Sequence, residues 1–159
     1  MITNHVFAPI DTSDITPLEK FLEKARFYIG DDDFTPGGKY AIYTMVQNDE
    51  IVGLLEIRLA LTERLHGTTP AALVTKFALV GDDENDVMTL LIHLSQEAKT
   101  LGLAAIYLRG EELPFEVEFG FKVCAPDGIY LAEGAEEAIK DLRVLPLTDE
   151  KKPGMVVLL

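Results

Sequence analysis

The fold is decided by one stretch, AALVTKFALV (Ala71–Val80), GDDEND (Gly81–Asp86), the run from Val87 to Gly102, and LAAIYL (Leu103–Leu108). The first ten residues are apolar on both faces, with only Thr75 and Lys76 interrupting. That is the pattern of a central strand covered on both sides. The acidic hexapeptide breaks it. Behind Asp86 or Asn85 as a cap, the residues Val87, Leu90, Leu91, Leu94, Ala98 and Leu101 recur on one helical stripe, and Gly102 supplies a stop. A second strand, Leu103–Leu108, follows at once. Strand, acidic turn, helix and strand make a βαβ unit, whose right-handed crossover returns the chain to a parallel or near neighbour.

Upstream, Tyr40–Val46 and Ile51–Leu61 read as two strands joined by Gln47-Asn48-Asp49-Glu50, and an Asn-Asp pair tolerates the positive φ of a tight hairpin. In the second of these strands Leu55, Ile57, Leu59 and Leu61 alternate with Glu56, Arg58, Ala60 and Thr62, which predicts one buried and one wetter face. A polar stretch, Glu63–Pro70, separates it from the central strand. Nearer the N-terminus, Thr16-Pro17-Leu18-Glu19 carries a hydroxyl cap, a proline in the first turn and a glutamate three residues after the cap. Leu18, Phe21, Leu22, Ala25 and Ile29 then predict a helix running to Gly30. Asp31-Asp32-Asp33 and Pro36-Gly37-Gly38 make a loop, and adjacent carboxylates lack the alternating ligand spacing of a calcium loop.

Downstream come a segment opened by Pro114 and reaching Phe119, a break at Gly120, a strand over Phe121–Cys124, a short helix over Ala135–Leu142 and a closing strand over Met155–Leu159. The layout is an α/β (α+β) mixed sheet, with antiparallel hairpin strands followed by a βαβ crossover, in a single domain spanning residues 1–159.

Composition excludes several classes of function. Of 159 residues, 14 are Lys or Arg and 27 are Asp or Glu, a net charge of −13 that suits neither a phosphate backbone nor an anionic lipid surface. With 48% apolar residues the chain has enough material for one core. Its one cysteine, Cys124, excludes an internal disulfide framework and a multi-thiolate metal site. No window holds the ~20 apolar residues that span a bilayer, and Met1–Ile10 has no signal-like pattern, so a cytoplasmic location is expected.

Among side chains able to do chemistry, Glu56 stands mid-strand, where it could deprotonate an amine through water or pair with Arg58 on the same face. His5, His66 and His93 lie far apart in sequence, so no metal pair is expected. His93 falls beside the apolar stripe as a half-buried helix residue. Cys124 reads as a small core residue, and nothing selects among Tyr28, Tyr107 and Tyr130 as proton donors.

In order and spacing, Asp49-Glu50-Ile51-Val52-Gly53, Phe77-Ala78-Leu79 and Phe115-x-x-x-Phe119-Gly120-Phe121 resemble the strand-opening, central-strand and C-terminal segments of the GNAT N-acetyltransferase superfamily. The resemblance runs from about Thr16 to the C-terminus, and the tail is similar to one bacterial branch. It implies acetyl-CoA as cosubstrate, bound where the central strand splays from its neighbour, with a backbone N–H of Phe77, Ala78, Leu79 or Val80 stabilising the oxyanion. It also implies a pyrophosphate turn, which by count falls on Glu84-Asn85-Asp86-Val87-Met88-Thr89. The motif is degenerate there. Both glycines are absent, and Asp82, Asp83, Glu84 and Asp86 stand where amide groups would cradle an anion. The family's tyrosine acid is replaced by Glu116, which the resemblance makes a candidate proton donor. Two functions follow: acetyl transfer to a small-molecule amine, or a catalytically silent domain of the same fold that binds a ligand or protein as a homodimer.

Overall fold

The computed structural model describes residues 5–32, 40–64, 67–123, 129–131, 136–137, 142–147 and 156–158, of which 60–64, 67–69, 129–131, 136–137 and 156–158 are described by backbone alone. Asp33, the Pro36-Gly37-Gly38 cluster, His66 and Cys124 lie outside these residues. In chain order the elements are β1 (Val6–Pro9), α1 (Thr16–Lys24), β2 (Ala25–Ile29), β3 (Tyr40–Gln47), β4 (Glu50–Arg64), β5 (Gly67–Val80), α2 (Asn85–Thr100), β6 (Ala105–Leu108), α3 (Glu116–Phe119), β7 (Lys122–Val123), β8 (Ile129–Leu131), β9 (Glu136–Glu137), β10 (Arg143–Pro146) and β11 (Val156–Leu158).

The spine is the long antiparallel ribbon of β4 and β5, in register from Gly53↔Leu79 to Arg64↔Gly67. The polar stretch after Leu61 therefore extends the two strands instead of separating them. Each outer edge of the ribbon is shared by two strands. On the β4 side, β3 pairs along Glu50 to Arg58 and β11 along Ala60 to Thr62. On the β5 side, parallel β6 pairs at Ala72 and Leu73, and antiparallel β2 pairs along Phe77 to Val80. β1 lies outside β3, β10 and β7 lie outside β6, and β8 and β9 lie outside β11. The β3–β4 hairpin turns through Asn48 (φ +52°) and Asp49 (φ +63°), the positive φ values predicted for that pair.

Neighbouring residues on a strand face opposite sides, so one ribbon feeds two cores. Leu55, Phe77 and Leu79 pack with Val87, Leu90, Leu91 and Leu94 of α2. On the other face Leu54 and Ala78 pack with Phe21 of α1. In the middle of β4 Leu54, Leu55, Glu56 and Ile57 are all buried, so both faces are covered there, whereas Leu59, expected on the buried face, is 43% exposed.

Two predicted helices differ from the structure. The first ends at Lys24, and Ala25–Ile29 continues directly as β2. Phe27, Tyr28 and Ile29 have the aromatic and β-branched side chains that favour strands, and β5 offers an open edge to pair with. Pro17 sits in the first turn as expected, but the Thr16 hydroxyl does not cap; the Thr16 N–H donates to Asp14 Oδ1 at 3.0 Å. In the second predicted helix, Glu136–Glu137 form a strand against Ile129 and Tyr130.

Candidate functional site

β5 and β6 stay paired only at Ala72↔Ile106 and Leu73↔Tyr107. Past that point the register between β4 and β5 steps from Ile57↔Val74 to Glu56↔Lys76, leaving Thr75 as the extra residue of a β-bulge. Such a bulge bends and twists its strand. After β6 the chain turns through Gly110 (φ +85°). A cavity of about 260 Å³ lies at this parting, lined by Glu56 of β4, Thr75 and Lys76 of β5, Tyr40 of β3, Arg109 beyond β6, and Gly30 with Asp31 beyond β2.

Glu56 is 5% exposed. The Thr75 hydroxyl donates to its Oε1 at 2.8 Å and to its backbone carbonyl at 3.0 Å. Among the described residues nothing donates to Oε2. Lys76, opposite Glu56 in the register, is engaged elsewhere: its Nζ donates to the Asp31 carbonyl at 2.8 Å and to Asp31 Oδ1 at 3.2 Å. Arg109 is half-buried and forms no ion pair among the described residues. The site thus brings a buried carboxylate and a guanidinium onto one small cavity without pairing them.

The central-strand residues Phe77, Ala78, Leu79 and Val80 lie just beyond the bulge, and β2 is laddered along their outer edge. The end of β2 is pressed and clipped into place. Gly30 (φ +75°) lies so close to the bulge that a Cβ would sit 2.6 Å from the Thr75 carbonyl oxygen. Only glycine satisfies both that φ and that approach. The Lys76–Asp31 contacts hold the next residue.

At the N-terminus of α2, the Asn85 N–H donates to Asp83 Oδ1 at 2.9 Å, the Asp86 N–H to the Asp83 carbonyl at 3.0 Å, and the Val87 N–H to the Glu84 carbonyl at 3.1 Å. The first three amides of α2 are therefore bonded within the turn, and the Asp83 side chain takes one that an anion could otherwise use. Partial burial, reinforced by Asp83, holds the Asp86 carboxyl above its ordinary range. Val87 is fully buried in the core, while Met88 and Thr89 are half-buried.

Glu116 stands apart from the cavity, 2% exposed at the start of α3. It accepts from Arg143 Nε at 2.7 Å on Oε2, and from Arg143 Nη2 at 2.8 Å and the Leu113 N–H at 3.0 Å on Oε1. Arg143 also donates to the carbonyls of Gly110 (2.7 Å) and Glu111 (3.1 Å). This network ties the segment after β6 to β10.

Of the candidates in the sequence, the structure places Glu56 at the parting, Phe77–Val80 beside it and Val87–Thr89 on α2. Glu116 belongs to a separate buried ion pair. Sequence reading missed Arg109, Lys76 and the Gly30-Asp31 pair. Lys76 had one signal, a charge inside a buried strand, while Arg109 had none.

No protein-family model matches the chain, and neither does any curated protein. Its backbone is similar to several solved structures. One is a GNAT family N-acetyltransferase (YhbS) from Escherichia coli in complex with CoA, at a TM-score of 0.65 and 12% identity, covering 100% of this chain and 92% of that one. Another is the ribosomal-protein-S18-alanine N-acetyltransferase from Escherichia coli, at 0.59 and 17%, covering 93% and 97%. A third is the aminoglycoside 6'-N-acetyltransferase from Enterococcus faecium, at 0.57 and 12%, covering 92% and 99%. These likenesses extend over nearly the whole of each chain: the chain carries the GNAT N-acetyltransferase fold.

Proposed function

We propose that the protein is an N-acetyltransferase whose acceptor amine enters the cavity at Glu56. The observation that carries this reading is the buried Glu56 carboxylate, whose Oε2 has no donor among the described residues, at the point where β5 and β6 separate. A buried oxygen without a donor calls for one, and an ammonium supplies it. Glu56 would then take the proton that the ammonium must lose before its nitrogen can attack. Thr75 fixes the carboxylate by holding Oε1. Acetyl-CoA would supply the acetyl thioester as cosubstrate, a reading supported by the similar structure bound to CoA. On this reading a backbone N–H of Phe77–Val80 would stabilise the oxyanion, as the family resemblance implies.

In the described conformation the cavity at Glu56 is open, whereas the edge of Phe77–Val80 is covered. β2 lines the edge of Phe77–Val80, and the turn at Asp82–Asp86 offers carboxylates while its Asn85 and Asp86 amides are bonded to Asp83. Acetyl-CoA binding on that edge requires β2 to leave it.

Calorimetric titration with acetyl-CoA, paired with an acetyl-transfer assay on a panel of primary amines, tests the reading. Binding at micromolar to submillimolar levels is expected, and Glu56→Gln should lower kcat by roughly 10²–10⁴-fold. No binding at ~1 mM, a free energy weaker than about −4 kcal/mol, would sink it. The β2 ladder and the acidic turn favour a second reading, a catalytically silent ligand- or protein-binding domain. On that reading acetyl-CoA does not bind, and light scattering shows a homodimer.

A further inference from the structure

We propose that the cavity at the β5–β6 parting binds a small α-amino acid, its ammonium on Glu56 and its carboxylate on Arg109. The proposal takes its location from the acceptor site described above but does not depend on acetyl-CoA. It rests on how the charges are used. Glu56 is buried with one oxygen satisfied by Thr75, and Oε2 has no donor among the described residues. A buried carboxylate in that condition is costly unless a cation or donor meets it. Lys76, the nearest cation in the register, is already held by Asp31. Arg109 lines the same cavity yet comes no closer than the 4.0 Å limit of an ion pair to any described carboxylate.

Two opposite charges that face one space without touching leave room for a molecule carrying the complement of both. A guanidinium presents a planar fork of donors matched to a carboxylate. A phosphate brings a charge of about −1.5 to −2, whereas with Lys76 held by Asp31 the one remaining guanidinium matches a single negative charge better. A cavity of about 260 Å³ suits a compact ligand. The two ends of an α-amino acid are separated by one carbon, and as a neutral zwitterion it avoids repulsion from a surface of net charge −13.

The test is a binding assay without acetyl-CoA. The protein is titrated with the common α-amino acids, their carboxamides, their N-acetyl derivatives and O-phosphoethanolamine, by thermal shift and then calorimetry. At least one amino acid should bind at micromolar to low-millimolar levels, with its carboxamide and N-acetyl form at least about tenfold weaker. Arg109→Met should erase the preference for acid over carboxamide. Arg109→Lys should restore part of it, and Glu56→Gln should weaken both amine-bearing ligands. Equal binding of acid and carboxamide, tighter binding of O-phosphoethanolamine, or no amino-acid binding at ~10 mM overturns the proposal. If amino acids bind with these preferences but receive no acetyl group, the inference stands and the acetyltransferase reading falls. If amines lacking a carboxylate are acetylated as fast as amino acids, the reading stands and the inference falls.

Discussion

At the scale of single residues, Glu56 and Glu116 show how two similar carboxylates acquire different roles. Both are buried. Glu116 has its oxygens filled by Arg143 and the Leu113 amide, so it closes a structural network. Glu56 receives one hydroxyl and keeps an oxygen toward a cavity. Removing a partner from a buried ion pair strands the other charge, at a cost of about 3–5 kcal/mol. Glu116→Ala should therefore lower stability by that order in urea unfolding. Adding Arg143→Leu should recover part of it, because no stranded charge remains. If Glu116→Ala left the unfolding midpoint unchanged and reduced only turnover, Glu116 would be the proton donor that the family resemblance suggests.

At the scale of elements, β2 is decisive. It follows α1 with no linker, pairs among the described residues with β5 alone, and ends against the bulge at Thr75 under the Lys76–Asp31 clip. A five-residue strand held by a single ladder is easier to detach than one paired on both edges. Ala25 and Val80 are directly opposed in the register. Opposed antiparallel residues have Cα atoms about 4.5–5.5 Å apart, within the range a disulfide bridges. In a Cys124→Ser background, Ala25→Cys with Val80→Cys should therefore form a reducible bridge. Under the proposed function, the oxidised protein should lose acetyl-CoA binding by at least about tenfold, and reduction should restore it. Equal binding in both states would mean that β2 does not obstruct the cosubstrate. The wild-type protein gives an independent reading: acetyl-CoA should speed amide hydrogen exchange in Ala25–Ile29.

At the scale of the whole molecule, the acidity of the chain is felt where β1 packs beneath α2. Phe7 stacks between His93 and Tyr43 with centroid separations of 5.2 Å to each, and His5 meets the His93 ring edge at 6.5 Å. Burial first, and the neighbouring His5 second, hold the His93 pKa below its usual 6.5. The unfolded chain then binds a proton that the fold resists. Stability is lost as pH falls through 6.5 toward the lowered folded value. His93→Gln should consequently gain on the wild type as pH falls from about 7.5 to 5, read as the difference in Tm between the two. Asp86, whose carboxyl is held above its ordinary value of 3.8 by burial and then by Asp83, has the opposite sign. Its charged form opposes folding above the raised pKa, so Asp86→Asn should raise Tm at neutral pH. That advantage should vanish as pH falls through the raised value to below 3.8. A Tm difference that does not change with pH in either variant would refute the corresponding assignment.

The amino-acid sequence by itself determined the βαβ unit, the β3–β4 hairpin and the half-buried place of His93. Those depend on local signals: a long apolar run, one helical stripe, an Asn-Asp turn. It also marked Glu56, as a charge within a strand. Only the tertiary structure decided that Ala25–Ile29 leaves the helical pattern for the edge of β5, because an open edge several elements away is invisible to periodicity. For the same reason the burial of Glu56, the capture of Lys76 by Asp31 and the arrival of Arg109 at the cavity could not be read along the chain. They join residues far apart in the chain, Glu56 to Thr75 across 19 positions and Lys76 to Asp31 across 45, and spacing carries no information about which side chains a sheet edge, a bulge and a turn will bring together.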